Sequence, residues 1–420
     1  MGRSQLAKNQ KQAAEKLELI SRGGEEPCLK LAEEGAISVV AGLLAESKSG
    51  QVRFNSAKIL RNLAGNPQLL EQMLDERVCP TLVSLVKFRK PSRMQETVIE
   101  AMDKIAVLMD AKLELLPAVP VLVEYLARVE LEDQLRALST LARISQHGKC
   151  QYKMVKDGAL DTAFNVLLSE FHPNSHRGLA MKAVAELCLN TACHKYVTGY
   201  SNDKGIRIIV RLCQIQDVDV APYACKTVER LAQDEDTALD LVDEGVLAEL
   251  RWMLEHAEPI VNFTALEAVG ALAEFFELQR ILVEQKLLPF LIKFSSSPDQ
   301  RMKQAAVRAL ALVSQHPVNR SRVIYNGGHE ALLYHGKFAA DKDLKGLAGD
   351  AAAEVLNLPA AKKKKTVIKA AQKFQEGLSD YVEEEDEEIS PAAKQWRNRQ
   401  GLMNALRKTG GEEESSSDDD

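Results

Sequence analysis

The densest grouping of residues that could carry chemistry is Cys188-x4-Cys193-His194. Two thiols and an imidazole are zinc-type ligands, but a closed metal site needs a further donor pair and none accompanies them. Cys188 also falls in a small, buried slot of a helical pattern, so no metal is expected. His147, His256 and His316 stand near breaks between helical segments, with no serine, cysteine or carboxylate pattern to complete a nucleophile and base. GxxxxGK[ST], GxGxxG and HExxH are all absent, and the glycines track turns. The expectation is therefore a chain without catalysis or cofactor.

Composition narrows the remaining classes. The 420 residues are 45% apolar and 27% charged, with a net charge of −6, so a broadly basic nucleic-acid surface is not expected, although a local basic groove is compatible. Seven cysteines, at 28, 79, 150, 188, 193, 213 and 225, are odd in number and contain no CxxC, which points to a reducing compartment: the cytoplasm, with the nucleus as a further location. The polar start MGRSQLAKNQKQAAEK has no apolar core of a secretion signal, and Leu6 stands where an acylation motif wants Ser or Thr. No segment approaches the roughly 18 apolar residues of a membrane span.

A repeat supplies the elements that position everything else. EEGAISVVAGLL at 33–44 recurs as DERVCPTLVSLV, LLPAVPVLVEYL, KDGALDTAFNVL, NDKGIRIIVRLC, DEGVLAELRWML, EQKLLPFLIKFS and YNGGHEALLYHG. Gly35 and its equivalents at 77, 117, 158, 204, 245, 286 and 327 are separated by 42, 40, 41, 46, 41, 41 and 41 residues. The long interval contains HPNSHRG (172–178), whose turn-rich composition predicts a surface loop.

Apolar residues recur at helical steps within each copy, for example Ile37, Val40 and Leu43, or Leu247, Leu250 and Met253. The eighth copy departs from the pattern with His329 and His335. Pro80, Pro120 and Pro289 share one slot at the start of this helix, where a missing N–H is harmless. A second helix follows each time, with buried columns Leu60, Met102, Leu138, Val184, Val228, Val269, Leu310 and, one turn on, Leu63, Ile105, Leu141, Leu187, Leu231, Leu272, Val313. Strand-type alternation is essentially missing, so an all-α chain is predicted.

A short helix, then G-A-I-x-x-V-x-x-L-L, then a longer helix of the form Ala57-Lys58-Ile59-Leu60-Arg61-Asn62-Leu63-Ala64, resembles the armadillo repeat. HEAT repeats are the rival, but the glycine before the middle helix and the three-helix length favour armadillo. The resemblance covers about Ala13 to Leu358. It implies a right-handed α-solenoid of about eight repeats over 1–358, whose third helices line a concave groove that holds extended partner segments. Nuclear-import adaptors of the family carry repeated Trp and Asn on those helices, and this chain has only Trp252 and Trp396. In register with the buried columns, the tryptophan slot holds Lys58, Glu100, Arg136, Lys182, Lys226, Glu267 and Arg308, and the asparagine slot holds Asn62, Lys104, Thr140, Glu186, Arg230, Ala271 and Leu312. An exposed helix face is commonly charged, which explains part of this. The sharper expectation is a groove in which Lys58, Lys104, Arg136, Lys182, Lys226, Arg230 and Arg308 meet acidic or phosphorylated segments while Asn62 holds their backbone.

From about 359 the composition shifts to blocks of like charge, which predicts a disordered tail over 359–420. Lys362, Lys363, Lys364 and Lys365 read as a localisation or phosphate patch, or simply as a solvated linker. Trp396, Met403 and Leu406 fall at helical spacing in 392–407, a short amphipathic helix able to meet a partner. The acidic tracts Glu383–Glu388 and Glu412–Asp420 suit a basic groove, so autoinhibition by the tail is expected. The leading functional reading is a non-catalytic scaffold or adaptor for acidic protein segments. Alternatives are a nuclear-transport-type cargo adaptor, an assembly factor of a cytoskeletal, ciliary or chaperone complex, and, third, nucleic-acid binding, for which stacking aromatics are missing.

Overall fold

The computed structural model describes residues 2–86, 92–215 and 217–356. The lysine run 362–365, the acidic tracts and the expected helix with Trp396, Met403 and Leu406 lie outside these residues. Every regular element among the described residues is helical. They belong to two compact units, Met1–Ile208 and Ile209–Asp420.

In the first unit the longest helices are Gly2–Ser21, Gly50–Leu63, Arg93–Ile105, Leu131–Ile144 and Asn174–Leu187, and each packs on the next. Middle helices Ala36–Glu46, Val78–Leu85, Val119–Leu126 and Ala159–Leu168 each pack on the third helix that follows. The second unit repeats the scheme with Ala221–Leu231, Pro259–Ala273, Gln300–Gln315 and Lys342–Val355, backed by Val246–His256, Leu288–Ser295 and Gly328–Phe338. Both units are thus stacks of helical repeats, an all-α solenoid. Each third-helix column predicted from periodicity is buried, from Leu60 and Leu63 to Leu310 and Val313. Among the middle-helix positions Leu43 is half-exposed and Leu44 is buried in its place.

The turn before six of the eight described middle helices holds a left-handed residue, which reverses the chain within one peptide. Gly35, Gly158, Gly245 and Gly327 supply it with φ of 74° to 91°, and Arg77 (55°) and Lys286 (64°) are forced into the same conformation. At Pro117 the ring forbids that angle, and a single 3₁₀ turn, Leu116–Ala118, carries the chain instead.

Two expectations are corrected. The segment 172–178 is not a surface loop: Asn174 opens the third helix after Pro173, and His176 is buried with its Nε2–H donating to the Leu131 carbonyl at 2.9 Å. Two imidazoles seat this helix on its neighbour, since His172 also reaches Gln134 Oε1 at 2.9 Å. The extra residues of the long interval lie instead at Ser201–Lys204, where Ser201 and Asn202 are both left-handed. The eighth copy is also regular. Its helix Gly328–Phe338 buries His329 and His335, and the His335 ring donates to the Ser295 carbonyl at 2.9 Å, so a hydrogen bond replaces apolar packing.

These features carry two expected outcomes. Lys286→Gly relieves the left-handed strain and should raise the unfolding free energy by about 1 kcal/mol, whereas Gly245→Ala, with open space for a methyl but φ of 91°, should lower it by about as much. Urea midpoints at constant m-value check both. Burial holds the His335 pKa below the usual imidazole value, so the unfolded chain takes up protons below about pH 6.5 that the folded chain refuses. Stability should therefore fall as pH drops through that range and be untouched above it. His335→Gln keeps an N–H for Ser295 without titrating, and between pH 7.5 and 5.5 it should lose about 1 kcal/mol less than the parent protein.

Candidate partner-binding face

The residues expected to meet a partner sit on third helices whose opposite flank is fixed in the core. Ser49 and Ser92 start two of these helices by accepting hydrogen bonds from the amides of Val52 (3.4 Å) and Gln95 (3.3 Å). Burial of Leu60, Met102, Leu138 and Val184 then turns Lys58, Glu100, Arg136 and Lys182 toward the remaining flank. Arg136 is exposed there, while Lys58, Glu100 and Lys182 are half-buried.

Most of these charges are answered from within the chain. Lys58 Nζ lies 3.8 Å from Glu18 and 4.4 Å over the Phe54 ring. Arg61 meets Glu100 at 3.5 Å, and Glu100 meets Lys104 at 3.7 Å. Lys104 also donates to the Arg61 carbonyl at 3.1 Å, closing the C-terminal turn of the preceding third helix. Asn62 is engaged too: its Nδ2 donates to Ser21 Oγ at 2.9 Å, and its Oδ1 accepts from the Arg61 guanidinium at 3.0 Å.

Asp103, not singled out from sequence, is the hub of the next interface. Its side chain is 4% exposed and accepts from Ser139 Oγ at 2.6 Å and Arg143 Nε at 2.9 Å, with Arg136 at 3.6 Å. A buried cation beyond it was also missed. Lys112 donates to Gln146 Oε1 at 2.9 Å, and burial pushes its pKa down, aided by Arg143 and Lys182 and opposed by Glu186 and Cys150. Lys112 belongs to a first helix, Met109–Leu115, so the third-helix register could not have found it. Asp103 left no sequence sign, because Glu96 and Glu100 stand on the same helical flank and only the fold buries it.

In the second unit the matching face is more balanced. Lys226 stands 5.8 Å over the Tyr223 ring, Arg230 is half-buried, and Arg308 pairs with Glu274 at 2.9 Å. Burial raises the pKa of both Glu229 and Glu267, Glu229 raises Glu267 further, and Lys226 and Arg230 pull both down. Leu312, in the asparagine slot, is buried. Trp252 sits on the middle helix Val246–His256, away from the third-helix series.

The sequence-level chemical candidates have structural posts. His194 Nε2 donates to the Cys188 carbonyl at 2.8 Å. His147 and His316 accept, through Nδ1, the backbone N–H of Lys149 (3.2 Å) and Val318 (3.3 Å), the same capping job that Asn66 and Asn190 do for Gln68 and Ala192. All seven cysteines are buried thiols, and burial pushes Cys193 and Cys150 up to about 11 and Cys79 and Cys225 up to about 12. No described helix is long and apolar enough to cross a membrane.

Comparison with known proteins agrees with this architecture. A family model described as a HEAT-like repeat matches residues 259–313. No curated protein matches the sequence significantly. The crystal structure of an engineered protein from the Northeast Structural Genomics Consortium is similar at a TM-score of 0.76 and 23% identity, over 92% of this chain and 94% of that one. A second engineered protein from that consortium gives a TM-score of 0.52 at 21% identity, over 57% of this chain and 96% of its own. These likenesses are of fold, an all-α solenoid of repeated helices, with a HEAT-like repeat matched over 259–313.

Proposed function

We propose that the chain is a non-catalytic scaffold of the armadillo type that holds extended acidic or phosphorylated segments of a partner protein on its third-helix face. Three helices per repeat and a left-handed residue before the middle helix support the armadillo form over the two-helix HEAT form. The observation that carries the partner chemistry is Arg136: its side chain is 57% exposed, and the one carboxylate near it, Asp103 at 3.6 Å, is already bonded to Ser139 and Arg143. A carboxylate or phosphate brought to Arg136, with Lys182 on the next third helix, would give that guanidinium an anion of its own.

This narrows the expected site. In the second unit Glu229, Glu267 and Glu274 oppose Lys226, Arg230 and Arg308, so the first unit is the preferred docking region. Asn62 would have to exchange its bond to Ser21 to hold a partner's backbone, and it is a weaker anchor than Arg136, which is 57% exposed on its side chain. A transport adaptor of the tryptophan-array kind is not favoured, given where Trp252 stands.

A fluorescent Glu-rich peptide is the direct probe. Its affinity should fall steeply as salt shortens the screening length from about 10 Å at 0.1 M to about 3 Å at 1 M. The double variant Arg136→Glu, Lys182→Glu should lose at least about tenfold, while Lys226→Glu, Arg308→Glu changes it little. Equal loss from both pairs, or tighter binding of a Lys-rich peptide, would overturn the reading. Removing residues 359–420 should raise the affinity if the acidic tracts compete for the same face.

A further inference from the structure

A second cationic cluster lies off the third-helix face. Tyr152 and Lys156 are one turn apart on the helix Gly148–Lys156, and Lys195 and Tyr196 stand on His194–Thr198 of the following repeat. The two rings meet edge-on at 6.2 Å. Lys156 Nζ lies 5.7 Å from the Tyr152 ring and 4.7 Å from the Tyr196 ring, and Lys195 Nζ lies 5.3 Å from Tyr196. Hydrogen bonds from Lys156 and Tyr152 pull the Tyr196 phenol below its ordinary pKa, and the charges of Lys156 and Lys195 add to this.

The contrast with the third-helix cations decides the matter. Lys58, Lys104, Arg136 and Arg308 each have a carboxylate within 4.0 Å. Lys156 and Lys195 are exposed and, among the described residues, are paired only with aromatic rings and a phenol. Lys156 bonds the Tyr196 phenol and Lys195 stands over the same ring, so two ammonium groups converge on one side chain, where an anion gains from both charges.

Beside them opens a cavity of about 480 Å³, lined by Lys195, Tyr196, Gly199, Tyr200, Val155 and Leu160, with Asp161 and Ser201 completing it. Tyr200 is stacked on Phe164 at 4.2 Å, which gives the cavity a fixed flat aromatic wall. Its rim contains the left-handed Ser201, and Gly205 just beyond is irreplaceable because a Cβ would lie 1.7 Å from the Val197 carbonyl. Burial, and then Asp161, raise the Tyr200 phenol pKa, while Lys195 adds to the lowering that Lys156 and Tyr152 bring about at Tyr196, so the lining carries a negative group near one tyrosine and positive groups near the other. Such a cavity suits a ligand with one anionic end and a flat apolar body, and disfavours a polyanion.

We infer that Lys156, Lys195, Tyr152 and Tyr196 form an anion subsite, and that the adjoining cavity receives the ring of an aryl phosphate, the chemistry of a phosphorylated tyrosine side chain. The lysines and phenols donate to the phosphate oxygens, and the ring lies against Tyr200, Val155 and Leu160. The subsite is independent of the third-helix face, so either can fail alone.

Titration of the full chain with phenyl phosphate, followed by isothermal calorimetry and tyrosine resonances, tests it. Saturable binding is expected, at least about tenfold tighter than for inorganic phosphate or phenol alone. Lys156→Gln and Lys195→Gln, both exposed and harmless to folding, should each weaken it roughly fivefold, and Lys58→Gln should not. A phosphotyrosine pentapeptide binding as tightly as phenyl phosphate supports a protein-borne source, and weaker binding of the peptide supports a small aryl phosphate. Unchanged affinity in both lysine variants, or inorganic phosphate binding as tightly as phenyl phosphate, would overturn the assignment.

Discussion

The closeness of successive third helices governs the chemistry of this chain. The column next to the charged slot reads Ile59, Ala101, Ala137, Ala183, Thr227, Ala268 and Ala309, and all seven are buried. With little more than a methyl group at most of these positions, neighbouring third helices approach until the polar flank of one touches the next. That approach is what brings Arg61 to Glu100, and Asp103 to Ser139 and Arg143. Larger residues in the column would part the helices, strand Asp103 from its donors and leave a buried carboxylate unanswered, at a cost of several kcal/mol.

The same closeness explains which parts of the structure were legible in the sequence. Burial with helical spacing is a local pattern, so Leu60, Leu63 and their equivalents could be read in register across the repeats, and the left-handed slot appeared wherever glycine filled it. Arg77 and Lys286 occupy that slot without any residue-type signal, because the stacked helices on either side dictate the angle. Charges were less legible. The partner of Arg61 is 39 residues away and that of Arg143 is 40, so the sequence showed a row of cations while the fold shows pairs. Histidine was half legible for a related reason: the sequence showed no catalytic pattern around the rings, but nothing along the chain said that His147 would cap a helix as Asn66 does or that His335 would donate from the core.

The two units diverge in what their third-helix faces offer. Both follow the same periodicity, yet the first sets Arg136 and Arg143 on one buried carboxylate, Asp103, and the second sets Glu229 beside Glu267. A repeat fold allows this because the core columns constrain burial and leave the opposite flank free to vary from copy to copy. Residue counts over the whole slot, five basic out of seven, average over two unlike faces.

A cation's value for recognition depends on what already answers it. A cation with a carboxylate at 3 to 4 Å must weaken that interaction before it gains another, so Lys58 and Arg308 gain less from an incoming anion than Arg136, whose carboxylate, Asp103, is already bonded to Ser139 and Arg143. Lys156 gives up at most its bond to the Tyr196 phenol, and the cation–π contacts of Lys156 and Lys195 need not be displaced by a phosphate, since the rings stay in place beneath the ammonium groups. By that criterion the aromatic cluster of the fourth and fifth repeats offers charges that, among the described residues, no carboxylate answers, and the third-helix face of the first unit offers the exposed Arg136, which shares Asp103 with Arg143. The extra residues at Ser201–Lys204, which interrupt an otherwise regular period, are where the first of these surfaces acquires its cavity.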